Sequence, residues 1–411
     1  MDTHALLIQA SAVHLRGDLS AAEAAYRSIL AQEPENTDAL FLMATLHIQR
    51  NEFGQAIPLL RGLVQANPRH HDAWLHLAHA LLERGESVEA ANCYVSILTQ
   101  WPDNVQAYLG VGEIALAQGK ADTAAQAFEQ ALKFDPDLPI ALFNLGLIHY
   151  QAKVLDSAES YYRRFLALQA ESLKGHFNLG AVLHDLHRLD EAQAEYRLVL
   201  NIDPSVTEAH RGLGNIALHQ RRYADAVEHF RAGLVYAPND VELLSNLGVM
   251  LQKCNDINGA ENVLRQAIAL DPEHINAHFN LALVLLLSGN FPEGWQEYEW
   301  RLRIKHRLPV TFTQAEWRGE ALDGKAILLR AEQGFGDTFQ FVRYAPLVKA
   351  AGGRVVLECQ PELKRLLLRS PGIDVIAERT VSGQPLAAYE RDLPMLSVPR
   401  VFNRRMDTVP S

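Results

Sequence analysis

Proline recurs with a fixed spacing over the first two thirds of this chain, and that spacing constrains the fold more than any other feature. The intervals between these prolines are all 34 residues or a multiple of 34. The series consists of Pro34, Pro68, Pro102, Pro136, Pro204, Pro238 and Pro272, with Ala170 at the one position where proline is missing. A period of this length predicts an array of short helical units rather than one globular core.

Three other positions recur in phase with the prolines. The position twelve residues before each proline position is alanine: Ala22, Ala56, Ala90, Ala124, Ala158, Ala192, Ala226 and Ala260. A second position holds only glycine or alanine: Ala10, Ala44, Ala78, Gly112, Gly146, Gly180, Gly214, Gly248 and Ala282. A third is mostly aromatic: Tyr26, Tyr94, Phe128, Tyr162, Tyr196, Phe230 and Tyr298. We interpret each unit as two helices that approach closely at the small residues, with the aromatic side chain filling the gap to the next unit and proline linking the units.

The stretch AWLHLAHALLERGESVEAANCYVSILTQWP, residues 73–102, shows this pattern clearly and resembles the tetratricopeptide repeat (TPR) family. The resemblance covers residues 3–305, with eight full units and a ninth that ends differently. It implies a mainly α fold, a TPR α-solenoid that winds as a right-handed superhelix, because one unit cannot bury its apolar face alone. In this family the first helix of each unit lines the concave face, which binds a protein or an extended peptide.

Composition narrows the range of partners. The 411 residues include 49 acidic and 38 basic side chains, and a net charge of −11 is unsuited to neutralising phosphates, so we expect no nucleic-acid partner. The longest apolar run, LALVLLL at 281–287, is far shorter than the ~20 residues of a membrane-spanning helix, so we expect no membrane span. Three scattered cysteines and an N-terminus without a signal-peptide pattern favour a cytoplasmic location.

Asparagine recurs two residues before the small residue of the first helix, at Asn144, Asn178, Asn246 and Asn280. The resemblance places this position on the concave face. An amide both donates and accepts hydrogen bonds, so a series of amides can bind the backbone of an extended peptide with little dependence on peptide sequence. The alternative is that these asparagines bond only to the neighbouring helix.

Two further sets of polar residues suit such a groove. Arg211 and Asn215 match, together with Asn246, three positions of the clamp that binds a C-terminal carboxylate in some TPR proteins. The other two clamp positions hold asparagine instead of a cation, which leaves a carboxylate poorly compensated. His76 and His79 lie on one helical face. They suit either a zinc site or a polar peptide-binding patch, and we predict the patch and no metal.

The pattern changes within the ninth unit. Trp295 and Trp300 would be exposed at the end of an array, so we expect them to pack on a neighbouring domain. We predict an irregular junction over residues 306–324 and alternating strands and helices over residues 325–411. The predicted strands are KAILLRA, GRVVLEC and GIDVIAE, with helices at about 337–350 and at PELKRLLLRS between them. This order predicts a short, incomplete Rossmann-like segment with a parallel sheet.

The first strand of this segment leads into the turn EQGFGDTF. The turn departs from the dinucleotide-binding pattern, because Phe339 occupies the position of the third glycine. It is similar to the G-x-GD turn of heptosyltransferase-like glycosyltransferases of the GT-B fold, and its surroundings resemble bacterial TPR-linked glycosyltransferases that parallel the O-GlcNAc transferase layout. That resemblance implies that Gln333, Gly334 and Gly336 form a substrate-binding loop and that Asp337 is the general base for the acceptor hydroxyl. The alternative is that Asp337 only caps the following helix.

The resemblance also implies an incomplete enzyme. A GT-B enzyme needs a second α/β domain for its nucleotide-sugar donor, and residues 325–411 correspond to about half of the first domain. We therefore expect neither a cofactor nor sugar transfer from this chain alone. Two functions remain open: the protein- or peptide-binding arm of a bacterial TPR-linked glycosyltransferase, or a non-enzymatic TPR adaptor for protein–protein interaction.

Overall fold

The structure consists of two compact units, Met1–Ile202 and Asp203–Ser411. It is a computed structural model, and the residues it describes are 3–304, 314–332, 334–378 and 387–403. The chain is mainly helical, as predicted, and the second unit adds a small parallel sheet. No helix in the described ranges combines the length and the apolar character needed to cross a bilayer.

The first unit contains six helix pairs, in which each first helix has 13 residues and each second helix has 14. Consecutive pairs pack against each other through the second helix of one and the first helix of the next. The helices are α1 (Thr3–Leu15), α2 (Leu19–Gln32), α3 (Thr37–Gln49), α4 (Phe53–Ala66), α5 (His71–Glu83), α6 (Ser87–Gln100), α7 (Val105–Ala117), α8 (Ala121–Phe134), α9 (Pro139–Gln151), α10 (Leu155–Leu168), α11 (Leu173–Asp185) and α12 (Leu189–Ile202).

The proline turns also prepare the first helix of the next pair. The residue two positions after the proline caps that helix when its side chain can accept a hydrogen bond. The Asn36 side chain accepts from the Ala39 N–H at 3.0 Å, and the Asn104 side chain accepts from the Ala107 N–H at 2.7 Å. The turn chemistry therefore recurs with the same period as the proline.

A side chain in the first turn of the first helix then binds back to the proline turn. The Trp74 Nε1 donates to the Pro68 carbonyl oxygen at 2.9 Å. This contact satisfies a carbonyl that the helix ladder cannot reach. Other donors at the same repeat position in this unit are Tyr108, to Pro102 at 3.1 Å, and His176, to Ala170 at 2.8 Å.

The small residues allow the two helices of a pair to touch. A Cβ built on Gly112 would lie 2.6 Å from the Phe128 ring, and a Cβ on Gly146 would lie 2.8 Å from the Tyr162 ring. The aromatic side chain thus fills space within its own pair, where we had predicted a contact with the next unit. The reason is geometric, because the two residues face each other across one antiparallel helix pair.

The second unit continues the helix pairs with α13 (Thr207–His219), α14 (Tyr223–Tyr236), α15 (Val241–Lys253), α16 (Ile257–Leu270), α17 (Ile275–Ser288) and α18 (Phe291–Glu297). The last of these has only 7 residues, and the chain continues from it as the 3-10 helix Tyr298–Arg303. The strands are β1 (Ala315–Glu316), β2 (Ala326–Arg330), β3 (Arg354–Cys359), β4 (Val375–Glu378) and β5 (Arg391–Pro394). The short helices around them are α19 (Phe335–Phe341), α20 (Ala345–Ala350), α21 (Lys364–Leu367) and α22 (Val398–Val401).

The five strands form one parallel sheet in the order β1-β5-β2-β3-β4. Strands β2, β3 and β4 are the three that the sequence predicted. The predictions did not include β5, nor β1, which lies inside the segment 306–324. The helix predicted at about 337–350 is divided by the 3-10 turn Val342–Tyr344, because Pro346 has no N–H to continue the ladder.

The aromatic residues of the ninth unit pack in two different places. Trp295 packs against the core of the sheet, with its ring 5.8 Å from that of Phe341 in an edge-to-face arrangement, as expected. Trp300 instead stacks on His278 of α17, with the ring centroids 3.9 Å apart. The expectation that Trp300 packs on a neighbouring domain is therefore wrong, because α17, the first helix of the ninth unit, supplies the His278 ring on which Trp300 stacks.

Candidate functional site

The first helices of the first unit border a pocket of about 320 Å³, which we call the Tyr94 pocket. It is lined by Leu75, His76, His79, Tyr94, Gln106, Leu109, Gly110 and Glu113. Tyr94 comes from α6, and the other lining residues come from α5 and α7. The structure therefore brings the predicted residues His76 and His79 into one pocket.

The two histidines differ in their surroundings. The His76 ring stacks on Phe41, with centroids 5.0 Å apart, and burial lowers the pKa of His76 although Asp72 opposes that shift. His79 is exposed, and its Nε2 lies 3.8 Å from a carboxylate oxygen of Glu83. Within the described residues, no three His, Cys, Asp or Glu side chains form a group that could hold a metal ion.

A second opening, which we call the Asn144 pocket, has a volume of about 270 Å³. Its lining is Pro139, Ile140, Phe143, Asn144, Phe165, Gln169, Ser172 and Lys174. The floor is apolar, and Asn144 and Lys174 supply an amide and a cation from two successive first helices, α9 and α11. Asn178 is partly buried further along α11 and lies outside the lining of both pockets.

The predicted residues of the second unit lie on its first helices. The Asn280 amide donates to the Ser245 hydroxyl of α15 at 3.3 Å, which is the contact with a neighbouring helix that the alternative interpretation predicts. Arg211, Asn215 and Asn246 are partly buried on α13 and α15. Each unit therefore presents amide side chains from its first helices.

The glycine turn follows β2, the central strand of the sheet, and its residue Gln333 lies outside the described residues. Gly334 is the N-cap residue of α19 with φ −75°, and a Cβ on Gly334 or Gly336 would meet no atom within 4 Å. The backbone here is open to an approaching molecule. The helix begins at Phe335, close to the predicted start at about 337, and Asp337 is in its first turn. The alternative that Asp337 is the N-cap is wrong, because Gly334 holds that position. Glycine is tolerated at an N-cap position, so the helix can begin two residues before Asp337.

Glu332, just before this turn, makes a buried ion pair that sequence analysis missed. Its two carboxylate oxygens accept hydrogen bonds from Arg301 at 2.8 and 2.9 Å. Arg301 is 1% exposed and also donates to Glu299 and Ser397. Because Arg301 belongs to the 3-10 helix after α18, the pair joins the end of the repeats to the sheet. No local spacing rule links two residues that are 31 positions apart.

A second buried acid, Asp392 of β5, was also missed. Asp392 is 1% exposed, its Oδ2 lies 3.9 Å from Arg330, and that oxygen makes no hydrogen bond to the described residues. Burial raises the pKa of Asp392 to about 6, and the Arg330 charge partly opposes the shift. Together with Glu316 and Arg400, Asp392 lines a pocket of about 320 Å³. Strand β5 has four residues, and two of them are charged, so its sequence gives no signal that Asp392 is buried.

Comparison with known proteins identifies the repeats. The sequence profile described as tetratricopeptide repeat matches residues 77–139, 122–172, 143–206, 177–241 and 251–299, which together cover more than half of the chain. A profile described as anaphase-promoting complex, cyclosome, subunit 3 matches residues 16–97. These matches end at residue 299, so the resemblance of the glycine turn to glycosyltransferases stays a prediction.

Individual relatives are distant or partial. Protein FlbA of Caulobacter vibrioides is 33% identical over 110 residues, which are 25% of this chain and 18% of FlbA. Among solved structures, the APC/C hetero-tetramer Cut9–Hcn1 is 20% identical with a TM-score of 0.43, covering 69% of this chain and 56% of that one. YrrB, described as a TPR protein with an unusual peptide-binding site, is 19% identical with a TM-score of 0.41, covering 46% of this chain and 96% of that one. From the repeat profile and the helix pairs together, the chain belongs to the tetratricopeptide repeat family.

Proposed function

We propose that the repeats bind extended segments of partner proteins on the surfaces that the first helices form within each unit, in a cytoplasmic setting. The observation that carries the proposal is that the Tyr94 pocket and the Asn144 pocket each open between successive first helices and combine apolar floors with amide, imidazole and charged groups. Pockets with a few polar groups on an apolar lining suit side chains of a peptide.

The Asn144 pocket illustrates the mode of binding. Asn144 has no hydrogen bond to another described side chain, so its amide is available to a peptide N–H and carbonyl. Phe143 and Phe165 beside it, with ring centroids 5.2 Å apart, provide an apolar surface for a side chain of the same peptide. Backbone contacts of this kind give affinity, and the pockets give selectivity.

The test is a peptide array probed with the full chain and with two quadruple variants. Changing Asn144, Asn178, Asn246 and Asn280 to Ala should weaken binding by about tenfold or more, because several hydrogen bonds are lost together. The matched control changes four exposed asparagines on second helices, Asn92, Asn201, Asn258 and Asn262. Equal affinities for both variants and the wild type would remove the amide series from the binding surface.

The C-terminal sheet favours a second candidate, the opening part of a glycosyltransferase to which the repeats present an acceptor. The supporting observation is that the glycine turn follows the central strand of a parallel sheet and leaves its backbone open. In this proposal a nucleotide sugar is the donor, a second α/β domain binds it, and Asp337 deprotonates the acceptor hydroxyl.

The catalytic proposal is tested in a full-length relative or in this chain extended by a donor domain. Asp337→Asn should retain the fold and lower the transfer rate by about a hundredfold or more if a general base is lost. If Asp337→Asn transfers normally and Asp337→Ala only lowers stability, the residue supports the helix and the catalytic role fails.

A further inference from the structure

The Tyr94 pocket is acidic. Among its eight lining residues, Glu113 is the one carboxylate, and there is neither lysine nor arginine. Within the described part of the chain, no cationic side chain lies at ion-pair distance from Glu113. This differs from the Asn144 pocket, where Lys174 is part of the lining. The Tyr94 pocket therefore presents a negative charge that its own surroundings do not neutralise.

The charge of Glu113 acts on Tyr94. The Glu113 side chain is exposed as a whole, yet neighbouring atoms displace enough water from its carboxyl to raise its pKa. Burial raises the pKa of Tyr94 to about 12, and the negative charge of Glu113 adds to that shift. A partly desolvated carboxylate beside a neutral phenol gains most from a cationic partner.

Gly110 makes room for the Tyr94 ring that lines this pocket. The 34-residue period places Gly110 at the position that holds Asn144 one repeat later. A Cβ on Gly110 would lie 2.2 Å from the Tyr94 ring and 2.7 Å from its hydroxyl oxygen. The ring therefore occupies the volume that an asparagine would need, and a peptide-binding amide is replaced by an aromatic floor.

The shape and charge of the pocket match a long side chain with a positive end. Leu75 and Leu109 line the walls, so they can contact an aliphatic stem. The Tyr94 ring and hydroxyl and the Glu113 carboxylate can then bind an ammonium or guanidinium group, through a hydrogen bond, a cation–π contact and charge.

We propose that the Tyr94 pocket selects a lysine or arginine side chain of the bound peptide. This rests on the proposed peptide-binding function and adds a selectivity to it. An apolar side chain would leave the Glu113 carboxylate without compensation, and an acidic side chain would be repelled by it.

The experiment uses positional-scanning pools of acetylated nonapeptides, in which one position is fixed and the others are mixed. Pools with fixed lysine or arginine should bind the full chain about fivefold more tightly than pools with fixed glutamine or norleucine, as one partly desolvated charge pair permits. The preference should weaken at high ionic strength, because the pair is near the surface.

Three variants locate the preference. Glu113→Gln should abolish the preference, so that the lysine and glutamine pools bind equally, and Glu113→Lys should reverse it in favour of fixed glutamate. Glu129→Gln, the matched control, removes the same charge from an exposed position on the second helix α8 and should retain the preference.

The outcomes separate this inference from the function on which it rests. Equal binding of the lysine and norleucine pools by the wild type, or an unchanged preference in Glu113→Lys, would overturn the basic-residue pocket while peptide binding itself stands. Absence of binding to every pool up to about 1 mM would overturn both.

Discussion

Glu332→Ala should loosen the sheet of the second unit far more than a surface substitution does. The Glu332 side chain is 2% exposed and accepts two hydrogen bonds from Arg301, which is itself 1% exposed. Removing one partner of a buried ion pair leaves the other charge without its solvent or its counter-ion, at a cost of roughly 3–5 kcal/mol.

The other hydrogen bonds of Arg301 place the expected loss of stability in Glu332→Ala near the lower end of this range. Arg301 still donates to Glu299 at 2.9 Å and to Ser397 at 2.8 Å after Glu332 is removed, so its charge is not left alone. The Leu396 N–H, which donates to Glu332 at 3.1 Å, loses its acceptor. We therefore expect Glu332→Ala to lower the free energy of local unfolding by about 3 kcal/mol.

The assay follows Trp317, which is fully buried in the core of the sheet. In a chain labelled with fluorotryptophan, the fluorine resonance of Trp317, assigned with Trp317→Phe, reports unfolding of this segment during urea titration. The double variant Arg301→Met/Glu332→Leu removes both charges. Its loss of stability should be much smaller than the summed losses of the single variants Arg301→Met and Glu332→Leu, with a coupling energy of about 3 kcal/mol.

Arg303→Met is the control from the same 3-10 helix. Arg303 pairs with Glu273 at 2.7 Å, but the two side chains are 49% and 72% exposed, so its loss should cost about 1 kcal/mol or less. The reasoning is refuted if Glu332→Ala costs no more than Arg303→Met, or if the two buried substitutions add without coupling.

Two further predictions concern packing and pH. Gly146→Ala places a Cβ 2.8 Å from the buried Tyr162 ring and should destabilise α9 and α10 by about 1–2 kcal/mol after its gain in helix propensity. Gly62→Ala in α4 meets no atom within 4 Å and should instead stabilise by up to about 1 kcal/mol; hydrogen exchange of the two segments distinguishes the signs, and equal effects would contradict the packing. Because burial raises the pKa of Asp392 to about 6, the folded state binds its proton more tightly than the unfolded state, and this carboxyl lowers stability as pH rises from about 4 to about 6. Asp392→Asn should therefore flatten the pH dependence of the Trp317 transition over this range and exceed the wild type in stability at pH 7 by up to about 3 kcal/mol, whereas parallel pH profiles would show that folding does not raise the pKa of Asp392.

Periodic positions were predictable because each depends on a local rule that repeats. Proline cannot continue a helix, and a residue such as Asn36 two positions later can cap the next one. Such rules act within a few residues. The helix pairs and the three strands with the longest apolar runs, β2, β3 and β4, were therefore predictable from the sequence. Gly112 illustrates the limit, since its small size predicted a close contact but not which helix supplied the Phe128 ring.

The sequence by itself therefore determined the repeat, the helix pairs and the family. Only the tertiary structure decided what meets across distances in the chain: Arg301 with Glu332, and the burial of Asp392. The same holds for the Tyr94 pocket. Gly110, at the position that holds Asn144 one repeat later, leaves room for the Tyr94 ring of the preceding helix. Local propensity follows from neighbours in sequence, whereas burial, charge pairing and pocket shape follow from neighbours in space.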